Sequence, residues 1–241
     1  MKRTAPGWME FKGVRNAALN VELLSMPART TPVMNARVYA VAGRSGTALV
    51  TDGSYADVRV ACALDLTDGA RVREVNAWLS GEGLLRFSDE PDLAYEARVL
   101  KSPEHVALAP RLDVRAYTVV FACKPFRVAV PEPKPLIATA SGQTFFNPGT
   151  APAPSRVTVT GSGDFAITIG KETISFFDIE DGISVDAATL DATTPDGSAL
   201  INDRLSGRPW TIPPGRFKVE WSLGEGGRID RIEILPRWRW M

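Results

Sequence analysis

Carboxylates are the most concentrated reactive groups in this sequence. Asp89, Glu90 and Asp92 fall within four positions, a density that suits paired acid and base work or a bound cation. They flank Pro91 in a turn-type stretch, where consecutive carboxylates are ordinarily just solvated. Asp178, Glu180, Asp181 and Asp186 surround Gly182, but their spacing departs from the D-x-[DN]-x-[DN]-G calcium loop. A solvated acidic loop and a cation site of another kind are the two readings left. The glycines at 43–46, 161–163 and 224–227 lack the G-x-x-x-x-G-K-[ST] text and any strand-then-helix setting, so they do not cradle phosphate.

Nucleophilic catalysis needs a base, and the chain has one histidine, His105. It sits in the polar stretch 101–110, which we expect to be a solvated loop. A single histidine excludes histidine-based metal clusters and most Ser-His or Cys-His designs, and no nucleophile elbow occurs. Cys62 and Cys123 each lie on the apolar side of an alternating run, as buried free thiols do. We read no enzyme, no cofactor and no metal site. Trp210, Phe217 and Trp221 could stack on sugar rings, but Phe217, Val219 and Trp221 share one strand face opposite Arg216, Lys218 and Glu220, which favours a core. Trp238 and Trp240 in the terminal RWRWM form either a docking strip or a last strand covering the core.

These groups must be positioned by a mainly β chain. Val72, Val75 and Leu79 recur at helical spacing beside Trp78, with charge on the far face. Asp68 or Thr67 can cap its start, and Gly81 can end it. Leu84, Leu85 and Phe87 then lead through the acidic turn into a strand at 93–100. Before the helix, residues 1–24 read as a turn and an early strand. Residues 36–42 and 47–50 flank Gly43-Arg44-Ser45-Gly46 as a hairpin. Its sides carry few regularly spaced bulky groups, and such a ribbon is marginal unless it packs on something. It is either a surface hairpin of its own sheet or an arm reaching a neighbouring subunit, with Tyr39, Val41, Arg44 and Leu49 the residues that would touch that subunit. Strands follow at 57–66 and 112–123.

With 241 residues, 44% of them hydrophobic, the chain can build two cores. Prolines 131, 133 and 135 can neither join a ladder nor continue a helix, so the boundary falls there, giving domains 1–130 and 131–241. The second half reads as short strands at 136–140, 144–146, 156–160, 165–169, 173–177, 182–186, 188–193, 210–212, 216–223 and 228–236, the density of a sandwich. Basic and acidic groups balance at 28 each, so there is no global grip on nucleic acid or anionic membranes. No apolar run approaches the ~20 residues that span a bilayer, and the N-terminus lacks a signal-peptide core. We expect a chain made and kept in the cytosol, or released by lysis.

The segment WLSGEGLLRFSDEPDLAYEARV resembles a run in the distal tail proteins of long-tailed, non-contractile bacteriophages, called Dit. The matching positions are Trp78, Leu79, Gly81, Gly83, Leu85, Phe87, Ser88, Asp89, Pro91, Asp92, Tyr95, Ala97 and Val99. Phe121, Cys123 and Pro125 are similar to the close of that family's first domain. Asn147, Pro148, Gly149, Pro154, Gly161, Gly163 and Asp164, then Gly207, Trp210, Pro214 and Gly215, resemble its second. The resemblance implies an N-terminal β-barrel or sandwich with one short helix, followed by a galectin-like β-sandwich. It implies a virion protein of the tail tip, assembled in the host cytoplasm as a homo-hexameric ring that closes the tail tube and lets DNA pass unread. Its partners would be the tail tube protein, the tape measure protein and the tail-tip or tail-associated protein, with no membrane insertion, and the early hairpin would link subunits. The competing reading is a two-domain carbohydrate-binding protein without enzymatic activity.

Overall fold

The structure, a computed structural model, describes residues 7–109 and 113–241. It divides into two units, one running to Val130 and joined by Met241, the other from Pro131 to Trp240.

The first unit contains β1 (Met9–Phe11), β2 (Val14–Arg15), β3 (Val21–Leu23), β4 (Met34–Ala40), β5 (Thr47–Tyr55), β6 (Val58–Leu66), α1 (Val72–Trp78), β7 (Glu82–Phe87), β8 (Leu93–Ala109) and β9 (Val114–Ala129). Hydrogen bonding orders its main sheet β2-β1-β7-β8-β9-β6-β3. Among the described residues β4 and β5 pair only with each other. In β6, Val58, Val60, Cys62, Leu64 and Leu66 are buried and Arg59, Ala61 and Ala63 exposed, the alternation of a sheet covered on one face.

The helix closes the covered side. Val75, Trp78 and Leu79 are buried against Phe11, Leu85, Phe87 and Phe121, and the Trp78 indole Nε1 donates to the Phe11 carbonyl at 3.0 Å. A 3-10 turn at Gly69–Arg71 precedes α1, and the Asp68 carboxylate accepts the Ala70 N–H there at 3.2 Å. At the other end Gly81 adopts φ +72°, and Lys12 Nζ donates to the carbonyls of Ser80 (2.8 Å) and Ala77 (3.3 Å), satisfying acceptors that a helix end leaves open.

Two strands run further than their text suggests. Met9–Phe11, expected as part of a turn, is a strand between β2 and β7. β8 continues to Ala109, so His105 lies in a strand opposite Tyr117, with the rings 5.0 Å apart, and not in a loop. Register shifts at Val99/Lys101 and Lys101/Glu104 break the period-2 signal while the ladder goes on. Residues 110–112, where the loop was expected to end and the next strand to begin, lie outside the described residues.

The second unit contains β10 (Leu136–Ala138), β11 (Gln143–Asn147), β12 (Ala153–Pro154), β13 (Arg156–Ile169), β14 (Glu172–Ile179), β15 (Ile183–Asp186), β16 (Asp191–Thr193), β17 (Leu205–Ser206), β18 (Thr211–Ile212), β19 (Gly215–Leu223), β20 (Arg228–Leu235) and β21 (Arg239–Trp240). It is a sandwich whose two sheets share one strand. The first half of β13 pairs with β15 and β20, and its second half with β14 and β19. The sequence divides this strand at Gly161-Ser162-Gly163-Asp164, but the chain does not turn back there. It shifts register at Thr160/Gly161 and Gly163/Phe165, so that Val157, Val159, Phe165, Ile167 and Ile169 all reach one core.

The other turn-like text ties the sandwich together. Asn147 is buried, and its Nδ2 donates to the carbonyls of Ile212 (3.0 Å) and Pro213 (3.2 Å) while its Oδ1 accepts the Gly149 N–H at 2.8 Å. The NPG and IPPG stretches are thus two sides of one junction. Among the described residues no helix is long and apolar enough to cross a membrane.

Candidate assembly surface

The β4–β5 ribbon is a long and almost wholly uncovered part of the first unit. Every residue of β4 is exposed, and in β5 only Ala48 and Tyr55 are partly covered. The expected contact residues all stand here: Tyr39 is 48% exposed, Val41 44% and Leu49 64%, and Arg44 projects at the tip. Gly43 and Gly46 take φ +75° and +87°, the left-handed values the tight tip needs. Leaving this much apolar surface in water forgoes about 25 cal/mol per Å², and the rest of the described chain does not recover it.

The root of the ribbon, by contrast, is pinned. The Ala56 N–H donates to Val33 at 2.9 Å, and Tyr55 packs edge-on against Phe126 with centroids 5.2 Å apart. Arg29, in the proline-bearing strap before β4, donates to Glu90 Oε2 at 3.1 Å, pairs with Asp89, and lies 5.4 Å from the Phe87 ring centre. Arg127 also holds Glu90. Asp89 and Glu90 are therefore not free solvated groups: the acidic turn is a clamp on the strap. The sequence gives no sign of this, because Arg29 and its partners lie about 60 positions apart and no periodicity links them. Between root and ribbon, Asp52, Gly53 and Ser54 stand opposite Asn35 alone. Such a bulge bends a strand. Gly53 has φ +81°, Asn35 Nδ2 donates to Ser54 Oγ at 2.9 Å, and the Ser54 hydroxyl and N–H hold the Asp52 carboxyl below its usual range.

The remaining reactive groups are otherwise engaged. Cys62 and Cys123 are buried free thiols, and burial pushes both up to about 12. A thiol raised in the folded state contributes stability that is complete below its unfolded pKa of about 9 and is lost as pH climbs toward 12. Urea unfolding at pH 8 and pH 11 tests this: the Cys62→Ala/Cys123→Ala chain loses less stability over that interval than wild type. Equal losses in the two chains would refute a thiol contribution.

In the second unit Asp178, Glu180, Asp181, Asp196 and Arg204 line a cavity of about 450 Å³. Asp178 pairs with Arg204 at 3.1 Å, and hydrogen bonds from the Thr194 hydroxyl, then from the Ser198 N–H and hydroxyl, lower Asp196 to about 2. Asp186 is elsewhere, bound by both terminal nitrogens of Arg237 at 2.6 and 2.8 Å. Among the described residues no three His, Cys, Asp or Glu side chains are grouped to hold a metal.

The tryptophans belong to the core. Trp210 is 2% exposed and donates Nε1 to the Glu172 carbonyl at 2.9 Å; Trp221 packs half-buried on the same cluster. Trp210 therefore offers no open ring face on which a sugar would stack. At the terminus, Trp238 is 5% exposed, with its ring 6.3 Å from Phe217, and Trp240 packs partly buried against the same cluster.

No family model and no curated protein matches this sequence. The fold is nevertheless a known one. The crystal structure of the Dit protein (gp 19.1) of phage SPP1, described as a paradigm of the hub adsorption apparatus in phages that infect Gram-positive bacteria, shares it with a TM-score of 0.74. The match covers 95% of this chain and 98% of that one at 13% sequence identity.

Proposed function

We propose that this chain is a structural virion protein, the distal tail hub of a long-tailed, non-contractile phage. In this reading it forms a hexameric ring that joins the tail tube to the tail-tip adsorption apparatus and leaves a channel for DNA. The first unit builds the ring, and the second is galectin-like. Its neighbours are further copies of itself, the tail tube protein, the tape measure protein and the tail-tip or tail-associated protein. Assembly takes place in the host cytoplasm.

The observation that carries this is the match of fold over nearly the whole of both chains. The bare ribbon supports it, because head-to-tail contacts between identical copies close into a ring when each copy carries both an arm and a seat. Net neutrality agrees with a channel that passes DNA without gripping it.

Native mass spectrometry of the purified chain, with negative-stain images of the same sample, tests the reading. Six-membered rings with an open centre are expected, and deletion of residues 37–50 is expected to shift them to monomers. A wild-type chain that stays monomeric at every concentration, or rings that persist after the deletion, would count against it.

A further inference from the structure

We infer that the strap joining β3 to β4, residues 24–33, is a charge latch. Arg29 holds it shut on the acidic turn, and it opens while the sheet it leaves stays folded. The latch is a property of the first unit alone and does not depend on assembly.

Little else holds the strap. At its ends the Leu24 N–H donates to the Ala63 carbonyl at 3.1 Å, and the Val33 carbonyl accepts from Ala56 at 2.9 Å. Between them, from Ser25 to Pro32, the main chain makes no hydrogen bond to another main-chain group among the described residues. Pro27 and Pro32 are buried but have no N–H to donate. Ser25, Met26, Ala28, Thr30 and Thr31 are exposed, so water can satisfy their backbone groups. Among the described residues, every side-chain hydrogen bond and ion pair of this stretch comes from Arg29.

Arg29 makes this hold specific but simple to undo. Its planar fork reaches two carboxylates at once, Nη1 to Glu90 and Nη2 to Asp89, a match that a lysine ammonium lacks. Yet the Asp89 and Glu90 side chains are 38% and 41% exposed, and ion pairs open to water contribute little and weaken as salt screens them. Arg127 also holds Glu90, so that carboxylate keeps a cation when Arg29 withdraws, and Asp89 is left to water. The sheet has no such weak point: β6 pairs with β9 from Val58 to Leu66 and buries Val58, Val60, Cys62, Leu64 and Leu66 along that run. A segment with few apolar contacts and a water-exposed backbone, beside such a sheet, opens at a fraction of the global cost. When it does, the β4–β5 ribbon that continues from it at Met34 is freed at one of its two ends.

The latch residue is itself a trypsin site, which supplies the test. The full-length chain is digested briefly near neutral pH, first cuts are located by mass spectrometry, and the rate after Arg29 is divided by the rate after Arg44 at the exposed ribbon tip. In wild type this ratio is expected to lie below about one tenth at low salt, and to rise at least about threefold when salt is raised from ~50 mM to ~500 mM. In Asp89→Asn/Glu90→Gln it is expected to rise at least about tenfold at low salt. Hydrogen exchange over β6 and β9, read on the same samples, is expected to stay at its wild-type level. A wild-type ratio near one would show that the strap is not held, and would overturn the latch. A ratio indifferent both to salt and to the double substitution would also overturn it, placing the hold in Pro27 and Pro32. If the double variant loses protection in β6 and β9 together with the strap, the charges support the whole sheet and local opening is wrong.

Discussion

A chain carrying Trp78→Ala is expected to lose about 3–5 kcal/mol of stability in its first unit, the range for emptying a buried aromatic site. Trp78 is 6% exposed and touches the only α-helix among the described residues to the sheet it covers. The truncation removes its ring from the core and also leaves the Phe11 carbonyl without its 3.0 Å donor. The two losses can be separated. Trp78→Phe keeps most of the volume and deletes the donor, so it is expected to cost only about 1–2 kcal/mol. Urea unfolding, read by hydrogen exchange in peptides covering β1, α1 and β7, measures both. A loss under about 1 kcal/mol for the alanine variant would show that the helix is held by something other than this side chain.

The second large effect is expected at Gly163→Ala, where β13 passes between the sheets of the sandwich. Gly163 has φ +75°, and an added Cβ would stand 2.3 Å from the Gly226 carbonyl oxygen and 2.7 Å from the Gly227 nitrogen. These are backbone atoms with no rotamer to swing away. Gly170 supplies the control. It also has a left-handed φ, +67°, but nothing lies within 4 Å of its Cβ position. Gly170→Ala is expected to cost about 1–2 kcal/mol, the penalty for a side chain in that conformation; Gly163→Ala adds the clash and is expected to exceed about 3 kcal/mol. Equal losses at the two sites, in chemical denaturation of the full chain, would remove the close approach as an explanation.

What the sequence discloses is what short-range physics controls. Val72, Val75 and Leu79 announce the helix because burial every three or four residues is a local pattern, and β6 announces itself by strict alternation. The ribbon is legible for the same reason: two glycines at a tip and matching flanks. Gly161 and Gly163 mislead because a glycine that permits a close backbone approach looks, in text, like one that permits a turn. His105 misleads because two bulges scramble the period of a strand that never stops. The clamp of Arg29 on Asp89 and Glu90 is invisible, since a charge carries no record of the distant charge it meets. The same holds for Lys12, which caps a helix about 65 residues away. Of the candidate surface, then, the exposed ribbon is readable and the parts that fix its root are not.

The place of β1 in the sheet has a consequence in time. Met9–Phe11 pairs with the far side of the unit, Met9 opposite Phe87 and Phe11 opposite Leu85. At ~5–20 residues per second of synthesis, the strand waits roughly 4–15 s for the partner that will receive it. A hairpin needs only ~1–10 μs once its two sides exist, and both sides of the ribbon are made in that interval. During synthesis the ribbon's ends can therefore meet well before the sheet that anchors it has closed.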